Sequence, residues 1–347
     1  MKIGSLFSGA GGLDLGFEQA GFEVAWANEY DKSIWATFRR NFPNTILDTR
    51  DIRDVPSEDI PDALDGIVGG PPCQSWSEAG ARRGINDRRG QLFFEYIRVL
   101  QDKQPKFFLA ENVQGMLFER NAEALQQIIE DFEDANYTVD YKLLNASDYG
   151  VPQDRKRVIF IGFRNDLDIR FTFPVLTQRP LTLHDCIADL QDTAIPAREK
   201  NHSNGDDLPV TNHEYWIGDY SSMYMSRNRV RGWDEPSYTI QASGRHAPLH
   251  PQANKMIKVE KDKFIFDPDS PYEYRRLTVR EAARIQTFPD DFTFVYDRVG
   301  DGYKMVGNAV PVQFAYELAC QIKAHLLNPD ALDDERRLNQ ERLFALD

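Results

Sequence analysis

Lys2-Ile3-Gly4-Ser5-Leu6-Phe7-Ser8-Gly9-Ala10-Gly11-Gly12-Leu13-Asp14 runs a short apolar stretch straight into a glycine-rich turn. That pattern reads as a buried strand, a tight loop and the start of a helix. Glycines there let backbone amides approach a ligand at a helix N-terminus, which favours an anionic group. A dinucleotide fingerprint would need Gly where Asp14 stands, so the loop alone does not name the ligand. Further short apolar runs bounded by Gly, Pro or Asp follow at Glu23 to Asn28, Gly66 to Gly69, Phe107 to Ala110 and Val158 to Phe163. Amphipathic stretches such as Leu92 to Leu100 and Ala122 to Phe132 lie between them. Strand and helix in alternation predict an α/β fold with a doubly wound, mostly parallel sheet.

From about Arg164 to Tyr274 the pattern gives way to Pro, Gly, Asn and His with isolated apolar runs, as expected of a smaller, loop-rich insertion. Periodicity returns near Leu277 and again over Val310 to Leu327, a helix expected to pack back on the first sheet. The expected division is residues 1–175 plus 300–329 as one domain, 176–299 as an inserted one, and 330–347 as a charged tail.

At 347 residues the chain exceeds one ordinary core. No signal peptide and no membrane-length apolar run is present, so a cytoplasmic protein is expected. Cys73, Cys186 and Cys320 form no CxxC pair, which argues against a disulfide framework or a zinc site, and no metal is implied. Forty-one Lys plus Arg against 55 Asp plus Glu give a net charge of −14, which taken evenly would oppose nucleic acid. The charge is not even. Residues 78–90 carry Arg82, Arg83, Arg88 and Arg89 against one Glu and one Asp, and Arg227, Arg229, Arg231 and Arg245 crowd a second stretch. Taken alone, either cluster is as well read as a solvated loop.

Candidate chemistry sits at strand ends, where open α/β sheets place their ligands. Glu29 closes the second strand, where an acidic side chain can bind ribose hydroxyls, and Asp51-Ile52 offers an acceptor for an exocyclic amine beside an apolar face. The set fits an adenosine-type ligand without a pyrophosphate; the competing reading is that Glu29 and Asp51 only cap helices. Gly69-Gly70-Pro71-Pro72-Cys73-Gln74-Ser75-Trp76 puts a lone thiol on rigid backbone after a strand, and Ala110-Glu111-Asn112-Val113 puts a carboxyl group at another tip. In a crevice Glu111 could be held protonated by desolvation; otherwise it pairs with an arginine or caps a helix. One reaction uses a thiol, an acid and an adenosyl ligand side by side. Carbon 5 of cytosine is a poor nucleophile until a thiolate adds to carbon 6 while an acid engages N3, after which it can take a methyl group. A thiolate is accessible near neutral pH beside arginine and leaves readily.

Phe7-Ser8-Gly9-Ala10-Gly11-Gly12, Asn28-Glu29, Pro72-Cys73-Gln74, Glu111-Asn112-Val113, Gln153-Asp154-Arg155-Lys156-Arg157, Arg276-Leu277-Thr278 and Gly307-Asn308-Ala309-Val310 together resemble the ordered motifs of DNA (cytosine-5) methyltransferases. The resemblance spans nearly the whole chain. It implies an S-adenosylmethionine-dependent methyltransferase fold with an inserted target-recognition domain, Cys73 as nucleophile, Glu111 as the N3 partner, and Arg155 and Arg157 holding the base and the catalytic loop. Phe7, Gly9, Gly11, Glu29, Asp51, Ile52, Leu92 and Asn308 would surround S-adenosylmethionine. Gln74, Ser75, Arg82, Arg83, Arg227, Arg229, Arg231 and Arg245 would meet double-stranded DNA, from which the target base must be flipped. The enzyme is expected to act as a monomer. Beyond the shared motifs, residues 225–246 resemble those of bacterial restriction-modification enzymes that modify the inner cytosine of GGCC. An RNA cytosine methyltransferase of the same fold is the alternative, although the Cys-Phe-Thr triplet familiar from that branch is missing between residues 165 and 275. A nicotinamide oxidoreductase would leave Pro72-Cys73-Gln74 unexplained, and an inactive binding module would be expected to have lost Cys73 or Glu111.

Overall fold

Seven strands form the central sheet in a computed structural model, which describes residues 1–72, 91–175 and 180–328. They are β1 (Lys2–Leu6), β2 (Glu23–Asn28), β3 (Ile46–Asp48), β4 (Gly66–Gly69), β5 (Phe107–Val113), β6 (Tyr137–Asn145) and β7 (Lys156–Arg164), ordered β3-β2-β1-β4-β5-β7-β6. β7 alone runs antiparallel to its neighbours, so the sheet is mostly parallel as expected. The chain builds outward from β1 in one direction and from β4 in the other, which puts the topological switch between those two central strands.

Both faces of the sheet are covered, and the two-residue period of a strand assigns each side chain to one of them. Phe107, Leu109, Ile159 and Ile161 pack with Phe17 of α1 (Gly12–Gln19) and with residues of the C-terminal helix. Their alternates Phe108, Ala110, Val158 and Phe160 pack with Tyr96 of one helix and Phe132 of another on the opposite face. The intervening helices are α2 (Trp35–Asn41), α3 (Gln91–Lys103) and α4 (Ala122–Asp134). After the sheet come α5 (Leu183–Ile187), the short pair β8 (Ile195–Pro196) and β9 (Glu214–Tyr215), and the hairpin of β10 (Ile257–Glu260) and β11 (Lys263–Ile265). The chain ends in α6 (Val279–Ile285), α7 (Val299–Asn308) and α8 (Val312–Leu327). β3 and β6 had no counterpart in the sequence reading: β3 is three residues long, and β6 is an edge strand with exposed Tyr141 and Lys142 in its middle.

Most of the buried apolar residues of the segment from 180 to 299 join a core shared with the sheet's flank. Leu183, Ile187, Val279, Phe288 and Phe292 share one buried cluster with Ala27, Phe38 and Phe42 from the sheet's flank and with Met305 and Ala309. A small separate cluster of Tyr224, Val230, Leu249 and Met256 lies farther out. Inside the insertion, Glu281 is fully buried and accepts from both Arg275 amino nitrogens at 2.8 Å, while closing a capping box with Thr278 at the start of α6. The tail at 330–347 falls outside the described residues. Among the described residues no helix is long and apolar enough to cross a membrane.

Asp14, in the first turn of α1, is completely enclosed. Among the described residues neither of its oxygens meets a well-aligned hydrogen-bond donor, the Ser5 hydroxyl being the polar side chain that faces it. Burial pushes its carboxyl up to about 7, opposed by Ser5 and reinforced by Glu18 and Glu29. The folded state therefore binds this proton more tightly than the unfolded chain, whose ordinary value is 3.8. Stability from Asp14 is full below 3.8 and is lost as pH rises to about 7. Asp14→Asn is accordingly expected to stabilise the protein at pH 8 by about 2–4 kcal/mol, and by roughly half that at pH 5.5. Urea midpoints at the two pH values check this; a destabilised variant at pH 8 would contradict it.

Candidate active site

The register of the sheet gathers the strand-tip residues at one edge. Leu6 pairs with Asn28 on one side and Gly69 on the other, and Gly69 pairs with Ala110. The next residues, Phe7, Glu29, Gly70 and Glu111, therefore open the same edge. Phe7 turns the chain at φ 55°, a left-handed conformation that a bulky side chain adopts only where surroundings impose it. The glycine loop follows. Gly11 has φ 93°, and a Cβ there would stand 2.2 Å from the Phe42 ring, so no other residue fits.

Glu29 locks this loop in place. One carboxylate oxygen accepts from the Gly9 amide at 2.8 Å and the other from the Asp31 amide at 2.7 Å. Burial raises its pKa, and the two amides oppose that rise. Each oxygen retains a lone pair for a hydroxyl. A Cβ built on Gly9 would meet nothing within 4 Å, so open space borders the loop at the carboxylate. The turn after α7 closes the other side: the Val310 carbonyl lies 2.3 Å from where a Cβ of Gly12 would stand, which brings exposed Asn308 beside the glycine loop. Tyr30, 69% exposed and next in sequence to Glu29, adds an uncovered aromatic ring that the sequence reading missed. Lys304 pairs with Asp31 on the same rim. Ile52 is enclosed among Leu6, Trp26 and Ile67, and Leu92 packs half-buried against that cluster.

Asp51 shows the capping geometry. It accepts from the Arg53 amide at 3.1 Å at the head of a single 3₁₀ turn, and the Arg53 guanidinium grips the same carboxylate. Any amine it receives must share it with Arg53. Glu29, in contrast, caps no helix; it staples the glycine loop to the residues after β2.

Glu111 lies one residue past the aligned tip and is ion-paired, Arg157 Nε standing 2.6 Å from Oε1. Antiparallel pairing of β5 with β7 sets Val113 opposite Arg157 and so delivers the arginine to the carboxylate. The second oxygen, Oε2, stands 3.3 Å from where a Cβ of Gly70 would be, so the glycine leaves it uncovered from that side. Asn112 Nδ2 donates to the Pro71 carbonyl at 3.3 Å and ties β5 to the Pro71-Pro72 turn. Cys73 follows Pro72 directly; with Gln74, Ser75, Arg82 and Arg83 it lies outside the described residues. Arg155 is buried, and its guanidinium donates to the carbonyls of Ile240 at 3.2 Å and of Gly307 and Ala309 at 3.1 Å each.

The four arginines of the insertion separate into two kinds. A pocket of about 220 Å³ is lined by Arg227, Asn228, Arg229, Tyr238, Gln241 and His246, among others. Arg227 and Arg245 are exposed and form no hydrogen bond or ion pair among the described residues. Arg229 is 7% exposed, donating to the carbonyls of Tyr224 at 2.8 Å and Met223 at 3.2 Å with its guanidinium over the Tyr224 ring. Arg231 is bound to Asp154 at 2.8 Å and to Glu235 at 3.4 Å and covers Tyr238. Backbone carbonyls and carboxylates already hold Arg229 and Arg231, unlike Arg227 and Arg245. Burial lowers the pKa of His246, and Arg229, Arg245, Arg227 and Arg276 lower it further, so the field at the pocket is positive in a chain of net charge −14.

If the glycine loop holds a nucleoside, Glu29→Ala should weaken S-adenosylmethionine binding by about 1–3 kcal/mol, the cost of a lost charge-assisted pair. DNA affinity measured without cofactor should barely move. Calorimetry showing unchanged cofactor binding would put the nucleoside elsewhere.

Known proteins resemble this chain over nearly its whole length. The chain is 57% identical over 347 residues to the Type II methyltransferase M.FnuDI of Fusobacterium nucleatum, covering 99% of this chain and 100% of that one. It is 58% identical to M.NgoPII of Neisseria gonorrhoeae, covering 94% and 96%. Among solved structures, an Escherichia coli prophage DNA modification methyltransferase superposes with a TM-score of 0.72 at 25% identity, covering 94% of this chain and 100% of that chain. Spodoptera frugiperda DNMT2 shares the fold with a TM-score of 0.66 at 20% identity, covering 92% and 99%. The sequence pattern of the C-5 cytosine-specific DNA methylases matches residues 1–324, and with that match the chain belongs to the C-5 cytosine-specific DNA methylase family.

Proposed function

We propose that this protein is the modification methyltransferase of a Type II restriction-modification system, working as a single chain on double-stranded DNA and methylating the inner cytosine of GGCC. The observation that carries the chemistry is the Glu111–Arg157 pair at the sheet edge, tied through Asn112 to the Pro71-Pro72 turn that leads into Cys73. S-adenosylmethionine, when bound, supplies the methyl group that cytosine C5 takes up. Glu29, the Gly9 loop, Tyr30 and Asn308 would hold it, a set that suits a nucleoside with an amino acid tail. The Cys73 thiolate adds to C6 of a base flipped out of the helix, while Glu111 Oε2 holds the proton at N3 and Arg157 fixes the Glu111 carboxyl group. Loss of the C5 proton to water then re-forms the C5–C6 double bond as the thiolate leaves and the N3 proton returns to Glu111, so the enzyme returns unchanged.

Site choice is assigned to the pocket of the insertion. Arg227 in the pocket wall and Arg245, next in sequence to the pocket residue His246, supply donors that match guanine O6 and N7, while Gln241 and His246 supply acceptors for the cytosine amino group. Arg227→Ala and Arg245→Ala should each cost about 1–3 kcal/mol of discrimination at one base position, measured as methylation of GGCC against its single-base variants. A uniform loss across all duplexes would make that arginine a phosphate contact. Robust methylation of DNA lacking GGCC would remove the site assignment, and methylation of an RNA hairpin of the same sequence would favour an RNA substrate.

A further inference from the structure

The short segment around Gln153 to Arg157 touches three sites at once. Arg157 holds Glu111. Gln153 and Arg155 hold both backbone groups of one residue in the insertion: the Ile240 amide donates to Gln153 Oε1 at 2.8 Å, and Arg155 donates to the Ile240 carbonyl at 3.2 Å. In the other direction, Gln153 Nε2 donates to Gln286 Oε1 at 2.7 Å, and Gln286 Nε2 donates to the carbonyls of Val306 at 2.7 Å and Ala309 at 3.0 Å. Those carbonyls bracket Asn308. Both glutamines are fully buried. The Gly307 backbone also lies directly on the recognition segment, since a Cβ there would stand 2.3 Å from the Gln241 carbonyl carbon.

We propose that Gln153 and Gln286 are positioning residues that couple base reading at Gln241 to the cofactor side of the site. An amide has a donor end and an acceptor end, and here each end of each side chain has a fixed partner. The chain of bonds from Ile240 through Gln153 and Gln286 to the Asn308 turn therefore has one satisfied arrangement. Ile240 cannot shift without breaking it, and Gln241, the next residue, lines the recognition pocket. Ordering the Asn308 turn with cofactor consequently orders the pocket wall. Gln286 is 133 residues from Gln153, so the link exists only in the fold. The inference rests on the reading of that pocket as the base-reading surface.

The test has two arms. In the wild-type enzyme without DNA, saturation with S-adenosylhomocysteine should slow hydrogen exchange at the Ile240 amide at least about fivefold relative to the ligand-free enzyme. No change there overturns the link, whatever any variant does. In the second arm, Gln286→Met keeps the Gln153 acceptor for Ile240 but cuts the connection to Val306 and Ala309. The tightening of GGCC binding by S-adenosylhomocysteine, and the GGCC preference at saturating cofactor, should each fall several-fold, while affinity for a duplex without the site stays unchanged. Gln153→Met added to Gln286→Met should cause little further loss, because both act on one path. A purely structural role would lower the melting temperature and leave the cofactor-dependent ratio intact, which would contradict the proposal, as would additive losses. Failure of the pocket reading shows differently: the wild type would then methylate all duplexes alike while the Ile240 amide still responded.

Discussion

Cys73→Ala should lower methyl transfer by at least about three orders of magnitude while leaving DNA affinity within a few-fold of wild type. The substitution removes the group proposed to add to C6, without which C5 stays a poor nucleophile, and very little contact area. The other cysteines cannot substitute: Cys186 is partly buried on α5, where burial pushes its thiol up to about 12, while Cys320 lies on α8 among the residues packed behind the sheet. Cys73→Ser separates position from reactivity. Its hydroxyl is similar in size but scarcely ionised near pH 7, so it should be almost as inactive as the alanine variant. Single-turnover assays on a GGCC duplex give the rate and gel shift gives the affinity; a Cys73→Ala enzyme retaining a tenth of wild-type turnover would rule out covalent catalysis.

Glu111→Ala should cost about 10² to 10⁴ in turnover, the usual contribution of a positioned proton-handling group. Arg157 would then be left beside the site with no anion to hold. Glu111→Gln should lie between the two, because an amide can still hydrogen-bond N3 but cannot hand over a proton. KM for S-adenosylmethionine should change little in either variant, since Glu111 stands near the end of β5 while the glycine loop follows β1. Equal loss in kcat and in cofactor affinity would mean that Glu111 shapes the pocket as a whole.

The parts of the fold legible in the sequence are those whose signal is local. A short apolar run between breakers marks β1, β2, β4 and the core of β5 and β7, and the aligned register then carries Glu29 and Glu111 to one edge. What the sequence left open depends on partners far away along the chain. Arg227 and Arg229 look alike as letters; they differ because the Tyr224 turn brings two carbonyls to one and none to the other. The competing reading that Glu111 pairs with an arginine is correct as geometry, yet which arginine follows only from the antiparallel β5–β7 register. Asp51 shows the capping geometry that Glu29 does not, although both stand near strand ends. The insertion reads as a separate domain by composition but shares its core with α2 and α7, because apolar residues report burial and not what they are buried against.

Covalent attack on the base can be tested in one reaction. A GGCC duplex whose inner cytosine is replaced by 5-fluorocytosine should trap the enzyme in the presence of S-adenosylmethionine, because fluorine at C5 cannot leave as a proton does and the Cys73–C6 bond cannot then be released. The predicted result is a protein–DNA band that survives boiling in detergent, requires S-adenosylmethionine, is absent with Cys73→Ala, and yields on digestion a peptide modified at Cys73. Methylation of ordinary GGCC DNA by an enzyme that forms no such adduct, or an adduct that persists in Cys73→Ala, would contradict it.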